Sequence, residues 1–162
     1  MLSRTFLWPQ GYTSAAMISV NLDAEFYGRI FYPGIDVSEG DIQRLGWTGM
    51  EYGLPHLLDC FREHGVKGTF FIPGRVAELY PDAVRAIADA GHELGCHGYE
   101  HEILAHFTPE EQLELLKKAK AAIEKAAGRA VTGFRMPEGE ITEQTLVAAK
   151  EAGFAYSSSL SN

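Results

Sequence analysis

Two histidines four residues apart, His97 and His101, are the first residues here whose type and spacing could do chemistry. On one side of a helical turn, side chains at this spacing stand roughly 5–6 Å apart at Cβ, close enough to share an ion. Two imidazoles and one carboxylate make a common catalytic metal set that leaves positions open for water and substrate. Asp23 is the natural carboxylate, because it follows the apolar run at 15–20, which has strand length. The plainer alternative is two solvated histidines in a polar loop. Spacing alone favours that alternative, and the strand-end placement of Asp23 turns the balance toward the metal. Arg135, in Phe134-Arg135-Met136-Pro137-Glu138-Gly139, is a second candidate. Its charged, planar fork can hold a carboxylate in place or bind a substrate oxyanion. The alternative is a surface arginine in a turn that the Pro and Gly shape.

The elements that must position these residues alternate. The run at 15–20 predicts the first strand, and 24–48 has no clear period. That stretch is rich in Gly and aromatics (Phe26, Tyr27, Phe31, Tyr32, Trp47), and it reads as a lid or substrate-facing loop. A helix follows over 54–64, closed by Gly65. Its start is open between a capping box at Thr48-Gly49-Met50-Glu51 and a first-turn Pro55. Strand 67–72 ends at Pro73-Gly74, helix 81–90 at Gly91, and a short strand covers 93–96. Thr108-Pro109-Glu110-Glu111 is the cleanest helix start in the chain, for a helix reaching about 127. A strand at 130–134, a helix at 142–152 and a fifth strand from Phe154 complete the order. Strands alternating with helices predict an α/β domain with a parallel sheet, whose ligands sit at the carboxyl ends of the strands. Asp23, His97 and Arg135 each fall at such an end.

Composition narrows the class. The 162 residues suit one domain, taken as 1–162, and 46% are hydrophobic, enough for a core without staples. Lys plus Arg is 14 against 22 for Asp plus Glu, a net charge of −8. That excess of acid argues against nucleic acid and against anionic lipid. No apolar run approaches the ~18 residues of a membrane span. Residues 1–11 carry no apolar stretch of signal-peptide length, so the expectation is a cytoplasmic chain. Cys60 and Cys96 form no disulfide framework, and Cys96 reads as a small buried strand residue. Trp8, Trp47 and the loop aromatics could line a sugar or ring site, or cover an incomplete core.

Three blocks occur in order: Val20-Asn21-Leu22-Asp23-Ala24-Glu25, His97-Gly98-Tyr99-Glu100-His101 and Arg135-Met136-Pro137-Glu138-Gly139. The set resembles the polysaccharide deacetylase family (carbohydrate esterase family four), with its H-x-x-x-H and R-x-P-x-G motifs. The stretches at 68–74 and 90–98 are similar to the family's second and third strands. The resemblance implies a distorted (β/α) barrel, of which this chain holds about five of roughly seven β/α units. It implies a site of Asp23, His97 and His101 binding a divalent ion, zinc or Co, Mn or Fe. It implies hydrolysis of an N-acetyl or related amide, in which the ion activates a water and polarises the carbonyl. Arg135 would orient an acidic partner.

The departures carry expectations too. The family's usual first block holds adjacent aspartates, a base and a ligand, whereas here Asn21 and Leu22 precede Asp23. Asparagine takes no proton at neutral pH. The Asp-Ala-Glu form resembles a divergent branch, the Helicobacter-type peptidoglycan-deacetylase-like and allantoinase-like members, some of which hydrolyse cyclic imides or ureides. Glu25 is a candidate replacement base, and equally a solvated loop carboxylate. The family's later motifs, with its general-acid histidine, lie beyond a fifth strand, and His56, His64, His92 and His106 match none of them. The expectation is a metal-dependent hydrolase of non-peptide C–N amide bonds, in sugar N-deacetylation or cyclic imide or ureide hydrolysis. Its substrate would be a small-molecule or oligosaccharide amide. The lack of a signal segment and the Asp-Ala-Glu block tilt that choice away from cell-wall polymer. The alternative is a non-catalytic module that keeps a metal or carbohydrate pocket. An incomplete barrel exposes strand edges, which predicts a homo-oligomer or burial against a missing C-terminal segment.

Overall fold

The computed structural model describes residues 10–27, 38–139 and 141–159. Strands β1 (Ser19–Asn21), β2 (Thr69–Ile72), β3 (Glu93–Cys96), β4 (Gly133–Phe134) and β5 (Tyr156–Ser157) lie parallel and in chain order. Helices α1 (Glu39–Thr48) and α2 (Leu54–Glu63) join β1 to β2, and α3 (Gly74–Leu79) and α4 (Pro81–Asp89) join β2 to β3. Helix α5 (Pro109–Ala127) precedes β4, and α6 (Glu143–Glu151) precedes β5. A sheet whose order never reverses winds one way, as a barrel does and a doubly wound sheet does not. Among the described residues β1 and β5 each have one neighbour, so the barrel is partial.

The pleat sorts side chains to two faces. Phe70, Ile72, Leu94, Cys96 and Phe134 pack into the core shared with Leu116, Ile123 and Ile87 of the helices. The other face carries one row across all five strands: Asn21, Phe71, Gly95, Gly133 and Tyr156. The two glycines make room for two rings. A Cβ on Gly95 would stand 2.5 Å from the Phe71 ring, and one on Gly133 would stand 2.4 Å from the Tyr156 hydroxyl.

Several expectations change. The first strand forms later than the apolar run suggests, because β2 offers no partner before Thr69, whose N–H donates to the Ile18 carbonyl. Within the stretch read as a loop, α1 forms, with the Ser38 hydroxyl accepting from the Asp41 N–H as its cap. The rest of the lid reading, at 28–37, lies outside the described residues. Thr48 is no cap. The helix runs on through a π-helical turn at Gly49–Gly53, and the Thr48 hydroxyl donates back to the Arg44 carbonyl. That wider turn lies just before Pro55, which lacks the N–H a regular turn would use. Pro73-Gly74 ends β2 as expected, and it also starts α3, with Pro73 as the N-cap residue.

Candidate active site

Each site residue leaves the sheet at a strand's carboxyl end. Asp23 follows β1, His97 follows β3 and Arg135 follows β4. Asp23 is 8% exposed, His97 1% and His101 2%. One ligand atom from each lies within 4.8 Å of the others. His97 Nε2 is 3.7 Å from Asp23 Oδ1, and His101 Nε2 is 3.7 Å from Asp23 Oδ2. Those distances exceed hydrogen bonds. They suit two ligands of one ion, since bonds of ~2.0–2.2 Å place ligand atoms roughly 3–4 Å apart.

The electrostatics agree. Burial pushes His97 down to about 4, against the opposing effect of its bond to the Arg135 carbonyl. Burial also lowers His101. Both rings are therefore neutral near pH 7. The His97 Nδ1–Arg135 O distance is 2.8 Å, and a carbonyl only accepts, so Nδ1 carries the proton. Its Nε2 is left as a bare lone pair, buried and without a partner, as is Asp23 Oδ1. Burial, then the charge of Glu138, pushes the Asp23 carboxyl up to about 7. Orphaned buried acceptors of this kind are costly in a protein interior unless a cation or proton meets them. The donor set fits a divalent ion.

The histidine pair is not helical. Gly98 has φ +74 and His101 φ +62, so both are left-handed. The loop is pinned from outside instead. Glu102 accepts from the Tyr99 and Glu100 N–H groups at 2.8 and 2.5 Å. At the start of α3, the Gly74 and Arg75 N–H groups donate to the Gly98 and Tyr99 carbonyls at 3.0 and 2.8 Å. The i, i+4 spacing thus brings two rings together through a stapled turn. Among the described residues, three other than glycine hold left-handed backbone, Ala24, His101 and Glu138, and all three sit at or beside this site. Each such residue costs roughly 1–2 kcal/mol.

Arg135 lines the same cavity, of about 360 Å³, with Asn21, Asp23, Tyr27, His97 and His101. Its guanidinium lies over the Phe71 ring, 4.1 Å from the centroid, and donates to Asn21 Oδ1 at 2.9 Å and Ser158 Oγ at 2.8 Å. The acidic partner expected for Arg135 is therefore an amide. Glu25 does not join the group. It accepts a bond from the Tyr80 hydroxyl at 3.2 Å and does not line that cavity. The reason is local, because the left-handed Ala24 turns the chain away after Asp23, under Gly46 of α1. Glu138, of the Arg135-to-Gly139 block, does line the cavity. An adjoining cavity of about 600 Å³ shares Asn21, Asp23 and Tyr27 and is walled by Leu22, Ile42, Leu45 and Met50.

Comparison with known proteins places this arrangement. A family model described as polysaccharide deacetylase matches residues 47–157, which include His97, His101 and Arg135. The chain is 36% identical over 129 residues to a peptidoglycan deacetylase of Helicobacter pylori, covering 80% of this chain and 43% of that protein. It is 39% identical over 100 residues to a peptidoglycan-N-acetylglucosamine deacetylase of Bacillus cereus, covering 62% of this chain and 36% of that protein. The chain thus spans less than half the length of these relatives. A crystal structure from Mycobacterium smegmatis, described as of the polysaccharide deacetylase kind, superposes with a TM-score of 0.83 at 33% identity. It covers 96% of this chain and 54% of the other. One winding of five parallel strands, an Asp-His-His cluster at their carboxyl ends and a match over more than half its residues agree: the chain belongs to the polysaccharide deacetylase family.

Proposed function

We propose that this chain carries the active site of a metal-dependent hydrolase that removes acetyl groups from N-acetylated amino sugars of a peptidoglycan-like polymer. The observation that carries the reading is the convergence of three buried ligand atoms, of which His97 Nε2 and Asp23 Oδ1 have no hydrogen-bond partner. The names of the relatives support sugar N-deacetylation over cyclic imide or ureide hydrolysis, and so weigh against the tilt drawn from the Asp-Ala-Glu block.

Asp23, His97 and His101 would hold one divalent ion, and imidazole with carboxylate suits zinc, cobalt, iron or manganese. Such an ion supplies an activated water and a polarised amide carbonyl. The protein's own groups do the rest. The Arg135 carbonyl fixes the His97 tautomer in advance, so Nε2 is ready as a ligand. The Arg135 side chain ties Asn21 to Ser158 and so joins the ends of β1 and β5 across the site. Asn21 holds and orients by hydrogen bonding but takes no proton. The polar cavity over the three ligands receives the amide, and the adjoining apolar one offers a wall to the rest of the substrate. A further chain segment or a second copy against the open edge of β5 would complete the barrel.

The test is acetate release from N-acetylglucosamine oligomers and from muropeptides by the metal-loaded chain, beside His97→Ala. Release that the substitution abolishes supports the reading. A chain that binds its ion yet releases no acetate from either substrate is a binding module, and the hydrolase reading falls.

A further inference from the structure

The cavity over the cluster holds one more carboxylate than the three ligands supply, that of Glu138. We propose that Glu138 is a fourth protein ligand of the ion, so that the centre is a site of two histidines and two carboxylates. This rests on the reading that Asp23, His97 and His101 hold the ion.

Distance is the first argument. Glu138 Oε1 stands 3.9 Å from His101 Nε2, and Asp23 Oδ2 stands 3.7 Å from the same nitrogen. Neither is a hydrogen bond. Both equal the roughly 3–4 Å that separates two ligands of one ion. Glu138 therefore meets the cluster at its His101 corner, just outside the 4.8 Å group that Asp23, His97 and His101 form, and a turn of its side chain would bring it to the ion.

Partnership is the second. Among the described residues Glu138 makes no ion pair with Lys or Arg, and His101 is its ionic neighbour. Its side chain is one quarter exposed, so it has room to turn toward the ion. Two carboxylates that line one cavity repel, and a divalent cation between them cancels both charges.

Backbone is the third. Glu138 holds φ +57 between Pro137 and Gly139, a conformation that glycine adopts at no cost. Binding through the carboxylate offsets that strain, whereas a merely solvated glutamate would leave it uncompensated. A second hard oxygen also moves the preference of the site toward manganese relative to a site richer in nitrogen.

The experiment titrates the purified chain with Co2+ and Zn2+ against a chromophoric chelator and records the visible Co2+ bands. Wild type, Glu138→Gln, Glu138→Gly and His97→Ala are compared, with ion-free melting of each. Glu138→Gln and Glu138→Gly are both expected to weaken Co2+ binding by more than the roughly 100-fold that loss of an outer partner costs, and to shift the bands. Glu138→Gly suits the left-handed backbone, so its ion-free melting does not fall, which separates loss of a ligand from loss of fold. Wild-type affinity and an unchanged spectrum in both Glu138 variants, with binding abolished in His97→Ala, overturn the fourth ligand and leave the three-residue site standing. Absence of binding in wild type overturns both.

Discussion

Two sets of buried histidines sit at opposite ends of the same strand. His92 lies immediately before β3 and His97 immediately after it. Both are nearly inaccessible, at 2% and 1%, and burial lowers the affinity of both for protons. Their partners differ. His92 Nδ1 accepts from the Gly68 N–H at 3.1 Å, and its ring packs between Phe61 and Phe70, 5.2 Å from each centroid. His97 Nε2 and its neighbour Asp23 Oδ1 have nothing to bond. The backbone follows the same division. At the His92 end the left-handed turns before β2, β3, β4 and β5 use glycine: Gly65, Gly91, Gly128 and Gly153. At the His97 end Gly98 and Gly139 are left-handed too, but there Ala24, His101 and Glu138 also take that conformation despite their side chains. Burial of a histidine therefore says little by itself. An unsatisfied atom and strained backbone around it separate a site from a core.

The largest effect that would break this comparison is on the ion. Removing a direct ligand by His97→Ala is expected to weaken metal binding by roughly 1,000-fold or more, beyond the ~100-fold that outer partners cost, while loss of its bond to the Arg135 carbonyl also lowers ion-free stability. Titration beside denaturant unfolding checks both halves. His92→Ala is the mirror experiment. It leaves the buried Gly68 N–H without an acceptor and opens a cavity between two rings, so it is expected to cost about 2–3 kcal/mol of folding stability and to leave ion affinity unchanged. A fall in affinity at constant stability in that variant would erase the distinction.

The next effect sharpens it with pH. With its carboxyl pushed up to about 7, Asp23 carries a proton below that pH, which an arriving ion must displace. His97, pushed down to about 4, stays neutral through the same window and adds no slope. Affinity is expected to fall about tenfold per unit below pH 7 and to level off above it. Calorimetric titration from pH 5.5 to about 8 reads this directly, and a flat profile would contradict the raised Asp23. The smallest effects are in the backbone. Ala24→Gly is expected to raise ion-free stability by up to about 1 kcal/mol, and Gly91→Ala, at φ +80, to lower it by roughly 1–2 kcal/mol. Thermal melting of the two variants tests the pair, and equal shifts of one sign would count against localised strain.

Much of the scaffold was legible because its signals are local. The Thr108 capping box forms in full, with the Thr108 N–H bonded to the Glu111 carboxylate at 2.8 Å, and Gly128 closes α5 in the left-handed conformation. Cys96 is a buried strand residue whose thiol burial pushes up to about 12, which leaves it unreactive. What the sequence hid depends on contacts far along the chain. The spacing of His97 and His101 pointed to a helical turn, yet the loop takes its shape from Glu102 and from the start of α3. Helix α3 itself was missed because Pro73-Gly74 ends a strand and starts a helix with the same residues. Glu25 looked close to Asp23 in sequence, and one left-handed residue between them sends it to Tyr80. Glu138 gave no signal of its own, since only its φ and its distance to His101 set it apart.

The central claim is that Asp23, His97 and His101 hold an ion, and metal content tests it most directly. Elemental analysis of the chain, purified without chelator or affinity tag, is made beside a His97→Ala/His101→Ala double variant. Close to one divalent ion per chain, lost in the double variant, is the predicted result. An ion-free wild-type chain that stays ion-free after incubation with zinc, cobalt and manganese would contradict the account.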